Sequence, residues 1–365
     1  MGGKRSSNRP LLSTANVLSR NRSWPKFAIL AQYRRFAASE RSHTPDLPTV
    51  RFLRPRNLVD YLAYLAVRIF VCVVQAMPVE SCAAVARGLA TLCASILKIR
   101  RRLVEENLKG AFPEMSADER KRMAWEMWEH LFLMVVEVIH APRKIHQTNW
   151  RDYVSLVDAD KIIRAFFDDR PSLIICGHYG NFELAGFVVG LLGFPSYTIA
   201  RTLDNPYLDR YLNDFRSLSG QYILPKEGSA GDVERVLQSG GILALLGDQN
   251  AGRKGCWVEF FGRPASSHKG IALFTLAGEA LTVFCYSRRN GRPLTQVMGT
   301  LGVLDPRTMP SEMQSVTAVT QWYTRHLETT IRVAPEQYWW VHRRWRDYKP
   351  RRKRQLEESS QSKAA

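Results

Sequence analysis

"SLIICGHYGNFELAGFVVGLL", residues 172–192, sets a strand, a turn and a helix in order. "SLIICG" (172–177) is a short β-rich run that ends in glycine, as a buried strand does. "FELAGFVVGLL" (182–192) reads as a helix. His178 follows the strand end, and Glu183 falls in the first helical turn. The same texture recurs downstream. "GILALLGD" (241–248) is a second apolar run ending in a turn, with Asp248 at its end. "SSHKGIALFTLAG" (266–278) reads as helix and "LTVFCYSRR" (281–289) as strand. Strands separated by helices imply an α/β domain with a central, mostly parallel or mixed sheet and helices on both faces. No internal repeat interrupts it.

Upstream, "MSADERKRMAWEMWEHLFLMVVEVI" opens with Ser116 and has Glu119 three residues later, a capping-box spacing. Trp125, Trp128, Leu131, Phe132 and Val135 recur at helical spacing and are expected to form core. "NLVDYLAYLAVRIFVCVVQAM" (57–77) is long enough to cross a bilayer as a helix. Arg68 sits at its middle, where insertion costs about 2.5–3.5 kcal/mol. On a helical projection Asn57, Tyr61, Tyr64, Arg68 and Gln75 share one narrow stripe, with Asp60 near its edge, and the remainder is apolar. Such a helix can lie in the membrane interface, span with its stripe packed on protein, or be a buried core helix. A second apolar segment, residues 81–99, runs into the basic flank "KIRRR", suited to anionic headgroups.

The whole chain carries a formal charge of +18, which favours anionic partners: a membrane surface, a phosphorylated substrate, an acidic protein or nucleic acid. With 45% apolar residues it can bury a core. The six cysteines form no C-x-x-C pair, so buried thiols are expected and neither a disulfide framework nor a zinc site. Residues 1–50 fit a disordered basic arm or a transit peptide, and "MGGKRS" formally fits N-myristoylation. The expected layout is an arm (1–50), a membrane-associating helical segment (51–102), the α/β domain (103–346) and a basic, polar tail (347–365).

Open α/β sheets bind ligands at the carboxyl ends of their strands, where His178 and Asp248 are expected. Gly177 and Gly180 would let the backbone turn tightly and leave room for a substrate. From the first helical turn the Glu183 carboxylate can reach back to one imidazole nitrogen and leave the other free to take a proton. No G-x-S-x-G elbow accompanies His178, so the expected chemistry is activation of a substrate hydroxyl without a covalent enzyme intermediate. One His and one Glu lack the further ligands a zinc ion needs. No metal or cofactor is expected.

"GHYGNFELAG" resembles the H-x4-D/E motif of the lysophospholipid acyltransferase superfamily. More narrowly, it resembles the late acyltransferases of bacterial lipid A biosynthesis. "RRLVEENLKGAFPEMSADER", "RTLDNPYLDRYLNDFR", "LLGDQNAGRKGCWVEFFGRPASSHKG" and "PEQYWWVHRRW" resemble that family's further blocks, in order, across residues 55–346. Phe182 stands where many relatives carry Trp. The resemblance implies a glycerol-3-phosphate acyltransferase-like fold and transfer of an acyl group from a thioester to a hydroxyl of a lipid A precursor. His178 would be the base and Glu183 its orienting partner. Arg201 would bind acceptor phosphate or the developing oxyanion. Asn205, Asp248 and Gln249 would line the substrate site. The implied partners are acyl carrier protein or acyl-CoA as donor, a phosphorylated glycolipid acceptor and an anionic membrane. The implied place is the bacterial cytoplasmic membrane, with the site facing the cytoplasm. Other readings stay open: the same mechanism on another glycolipid, a non-catalytic lipid-binding relative, or a nucleic-acid binder suggested by charge alone. "WWVHRRWRDYKPRRKR" is either a membrane-interface segment or core tryptophans followed by a solvated tail.

Overall fold

The computed structural model describes residues 55–346. The basic arm, its N-myristoylation pattern and the polar tail lie outside these residues.

Seven strands form one sheet in the order β1-β9-β8-β2-β5-β3-β4. They are β1 (Val154–Val157), β2 (Ser172–Cys176), β3 (Ser196–Ala200), β4 (Gln221–Pro225), β5 (Ile242–Leu246), β8 (Leu281–Arg289) and β9 (Gln296–Leu304). Every neighbouring pair is parallel except β8 and β9. The sheet is therefore mixed and mostly parallel, as expected. Short apolar strands at its centre are buried on both faces, which explains the unbroken run in "SLIIC". Alternation along β8 shows the two layers: Phe284 meets His326 of one helix, whereas Cys285 packs near Ile162 of another. These belong to α10 (Val316–Val333) and α5 (Ala159–Phe167). Helices α6 (Phe182–Leu191) and α9 (Gly270–Ala277) follow β2 and β7.

The expected helix over 266–278 is shorter than read. Its first residues form β7 (Arg263–Ser267), which pairs antiparallel with β6 (Cys256–Phe260). Phe261 and Gly262 both take positive φ at the tip, as a tight hairpin requires. A period-two alternation was present in β6, where Cys256, Val258 and Phe260 are buried and Trp257 and Glu259 exposed.

The capping box at Ser116 forms, with the hydroxyl accepting from the Glu119 amide and the Glu119 carboxylate accepting from the Ser116 amide. It starts α4 (Ala117–Lys144). The deepest face of α4 is not the expected tryptophan stripe, however. Met127, His130, Leu133, Met134 and Glu137 are buried, while Trp125 and Trp128 are half-buried and Val135 is exposed. Hydrophobic periodicity discounts a face whose buried members include paired polar residues such as His130 and Glu137.

Helices α1 (Pro55–Ala76) and α2 (Val79–Thr91) precede α3 (Arg101–Ala111). Part of the polar stripe of α1 packs on protein, although Asn57 and Arg68 stay exposed. Tyr61 and Tyr64 pack on Tyr207, and Arg68 lies 5.0 Å over the Tyr211 ring. Both tyrosines belong to α7 (Pro206–Leu218). Further along, Gln75 donates to the Ile139 carbonyl and Val74 packs with Cys82, Val136 and Ile139. The opposite face is left open: Leu58, Val59, Leu62, Ile69, Phe70 and Val73 are exposed. Of the six cysteines, all free, Cys72 is exposed on this helix, against the expectation of burial.

Candidate active site

Strand register brings His178 and Asp248 together. Cys176 pairs with Leu246 across β2 and β5, and the Gly247 amide extends the ladder to the Cys176 carbonyl. His178 and Asp248 each stand two residues beyond that last pair. They leave the same sheet edge side by side, where α/β sheets place their ligands. Asp248 is fully buried and grips the histidine twice. Its Oδ1 accepts from His178 Nδ1 at 2.7 Å and its Oδ2 accepts from the His178 backbone amide at 3.1 Å. With the Nδ1 proton engaged, the Nε2 lone pair points to the Gln249 side-chain amide, 3.4 Å away. Phe182 and Trp339 enclose the ring, with centroids 5.2 and 4.9 Å distant.

Burial alone would push the His178 pKa down. The Asp248 carboxylate, through charge and hydrogen bond, and Glu183 at longer range reverse this and raise it. For Asp248 the order is the same: burial pushes upward, and the adjoining His178 outweighs it and holds the carboxyl well below its usual range. The pair is therefore a carboxylate and an imidazole biased toward its charged form.

The turn carrying His178 is held from three sides. Gly180 has φ of 57°, and a Cβ there would stand 1.5 Å from the Ser287 carbonyl oxygen, so only glycine fits. At Gly177 a Cβ would meet Leu327 at 2.6 Å. The two glycines make room for β8 and α10, and not for a substrate as the sequence suggested. From below, His130 lies 3.2 Å from the Gly180 carbonyl, and Asn181 donates to Glu137 at 2.8 Å. Glu137 also pairs with Arg289, whose Nη1 donates to His130 Nδ1 at 2.9 Å. His130 must then be neutral, with its proton on Nε2 facing Gly180. From above comes the closing segment. The Trp339 amide donates to the His178 carbonyl at 3.1 Å, and the Gly180 amide donates to the Gln337 carbonyl at 2.8 Å. Trp340, Tyr338 and Arg344 are buried, so Trp340 is core, and the basic run beyond Arg346 lies outside the described residues.

Residues 51–347 match the family described as bacterial lipid A biosynthesis acyltransferase. The chain belongs to this family. It is 26% identical over 303 residues to the lipid A biosynthesis lauroyltransferase of Escherichia coli K12, covering 80% of this chain and 93% of that protein. It is likewise 26% identical to the lipid A biosynthesis palmitoleoyltransferase of the same organism, over 68% of this chain and 80% of the relative. A crystal structure of the 1-acyl-sn-glycerophosphate acyltransferase from Thermotoga maritima aligns with 70% of this chain and 99% of its own at 11% identity, with a TM-score of 0.34.

Among the residues singled out in this acyltransferase, the structure unites His178, Asp248 and Gln249. Glu183 does not touch His178. The helix direction of α6 carries its carboxylate to Arg216 of α7, which holds it with two hydrogen bonds, one of 3.1 Å. Asp248 occupies the orienting place the sequence reading gave to Glu183. Asn205 is committed to structure rather than to substrate. Its Oδ1 accepts from the Tyr207 and Leu208 amides as the N-cap of α7, and its Nδ2 donates to the Asp60 carbonyl at 2.8 Å. Arg201 leaves the end of β3 on the same sheet edge, exposed and paired with Asp204 at 2.9 Å. Trp339, Glu137, His130 and Arg289 escaped the sequence reading. A lone signal existed for the first, in the aromatic block beside the "HRRW" run.

Proposed function

We propose that this acyltransferase moves a fatty acyl group from an acyl thioester, with acyl carrier protein the favoured donor, to a hydroxyl of a lipid A precursor. His178 is the general base. The observation that carries this is the doubly held His178, with Nδ1 bound to buried Asp248 and Nε2 facing the Gln249 amide. An acceptor hydroxyl displacing the Gln249 amide would lie against Nε2. As its oxygen attacks the thioester carbonyl, His178 takes the proton and Asp248 stabilises the imidazolium. Collapse of the tetrahedral intermediate breaks the carbon–sulfur bond, and the imidazolium returns the proton to the departing thiolate. No acyl-enzyme is needed. Glu183, fixed by Arg216, adds negative charge at longer range. Arg201 sits at the same sheet edge and can meet an anionic substrate group.

The same reading places the protein on the bacterial cytoplasmic membrane, with its site on the cytoplasmic side. Asn57–Ala76 and Val79–Ile96 are long and apolar enough to cross a bilayer by length and composition. Polar α7, with Asp209, Arg210 and Asp214, packs along α1, however. A spanning α1 would carry that helix into hydrocarbon at high cost. The exposed apolar face of α1 fits an in-plane seat with α7 on its protein side.

The test is lipid mass spectrometry in a host lacking its own late lipid A acyltransferases. One added acyl group on lipid A with the chain present, and none with His178→Ala, is the expected result. An acyl gain on another glycolipid moves the acceptor and keeps the chemistry. A folded, membrane-bound chain that adds no acyl group to any lipid overturns the proposal.

A further inference from the structure

A cleft of about 580 Å³ opens beside His178. Its walls are the start of α3, the loop after β5 and the closing segment. Arg100, Arg343 and Arg346 line it with Gln249, Asn250 and His342, and no carboxylate does. The walls are built. Asn107 of α3 donates to the carbonyls of Trp340 and His342 at 2.8 and 3.0 Å, and Asn250 donates to the Arg344 carbonyl at 3.2 Å. Arg100 has φ of 52°, a left-handed conformation uncommon for a bulky side chain. It spends one guanidinium donor on the Val341 carbonyl at 2.7 Å. Within the "HRRWR" run the arginines divide. Arg344 turns inward to Ser266 and Ser267, while Arg343 and Arg346 stay exposed and face the cleft.

Among the described residues these three guanidinium groups line the cleft with no acid, a positive site whose donors suit phosphate oxygens. The cleft comes within one side chain of the base. Gln249 belongs to its wall and stands 3.4 Å from His178 Nε2, and the His342 and His178 rings are 6.3 Å apart. We propose that Arg100, Arg343 and Arg346 seat a phosphate monoester of the acceptor, fixing which acceptor hydroxyl reaches His178. The donor also carries a phosphodiester, but the long pantetheine arm separates it from the thioester that must arrive at His178. A phosphate one side chain away from the base therefore belongs to the acceptor.

The inference rests on the acyltransferase reading for its substrate, though its binding test does not. A phosphorylated glucosamine is titrated into the full chain in detergent and followed by phosphorus NMR, with glucosamine as control. Wild type and His178→Ala are expected to bind the phosphorylated sugar alike. The double variant Arg343→Gln, Arg346→Gln is expected to bind roughly tenfold or more weakly, as befits lost charge-assisted hydrogen bonds. Lysine at both positions is expected to keep most of the affinity. Equal affinity in wild type and the glutamine variant, or equal binding of the unphosphorylated sugar, would overturn the proposal. In turnover assays the glutamine variant should raise the acceptor KM and leave the donor KM alone. A rise confined to the donor KM would assign the arginines to the donor and refute the acceptor assignment. A chain without any transfer activity would defeat the reaction, and the sugar titration would still decide the site.

Discussion

Asp248→Asn keeps the shape of the His178 partner and removes its charge. Burial would then be opposed only by Glu183 at longer range, and the His178 pKa falls. A base works only when neutral, so kcat/KM rises with pH through that pKa. The variant should start its rise at lower pH and reach a plateau about a hundredfold or more below wild type, since imidazolium stabilisation is lost. Glu183→Gln should shift the profile in the same direction by less, because Glu183 acts at range and is neutralised by Arg216. A pH–rate series on both variants decides this, and equal shifts would sink the assignment of Asp248. His178 and Asp248 were legible in the sequence as polar residues that follow apolar strand ends, whereas Gln249 came from the family resemblance of the "DQ" pair. The choice of partner was not legible. Spacing put Glu183 within reach of the imidazole, but only the register of β2 with β5, across a sequence separation of some seventy residues, decides which carboxylate arrives.

Helix α4 works as a strut beneath the turn that carries His178, and its buried ion pair is the sensitive point. Glu137 and Arg289 are both buried, and Glu137 also takes hydrogen bonds from Asn181, Gln296 and the Leu294 amide. Glu137→Ala strands a buried guanidinium and should cost about 3–5 kcal/mol. Removing the exposed partner Glu106 of Arg102 should cost about 0–1 kcal/mol. Denaturant unfolding of the two variants compares them, and similar losses would contradict the strut. The same network sets an acid limit. Burial first, then the nearby Arg289, drives the His130 pKa well below its ordinary value. In the unfolded chain His130 protonates near pH 6.5, so the folded form binds fewer protons below that point. Its contribution to stability is complete above about pH 6.5 and is lost as pH falls, by up to roughly 1.4 kcal/mol per pH unit. Thermal melts between neutral pH and pH 5 should show that slope, and His130→Gln should flatten it. An unchanged slope would remove His130 from the account. Periodicity found α4 and its cap, yet predicted the wrong inner face, because two of the residues it discounted, His130 and Glu137, are buried by pairing with Arg289.

At the scale of the whole molecule, the α/β layering was readable from alternating apolar strands and helices, whereas the seat of α1 was not. Its polar stripe fitted a spanning helix, an interfacial helix or a core helix equally well. What separates them is α7, which lies on that stripe through Tyr207, Tyr211 and the Asn205 cap bonded to Asp60. Helix α7 bears charges that stay out of hydrocarbon, so α1 should lie along one leaflet with both ends on the cytoplasmic side. Single cysteines at Asn57 and Ala76, in a chain with exposed Cys72 replaced by serine, report this directly. Both helix ends are exposed, so the substitutions disturb no packing. An impermeant maleimide should label both positions in inside-out vesicles and neither in right-side-out ones. A spanning helix would place one end on each side, and that split pattern would defeat the in-plane seat. The apolar face supplies a second readout. Ile69 and Phe70 are 65% and 52% exposed, and full burial of such side chains is worth about 1.5–3 kcal/mol each. Replacing both with glutamate should leave electrostatics as the main hold on the membrane, so moderate salt should release the variant and not the parent. Retention of the variant through high salt would mean that another surface anchors the protein.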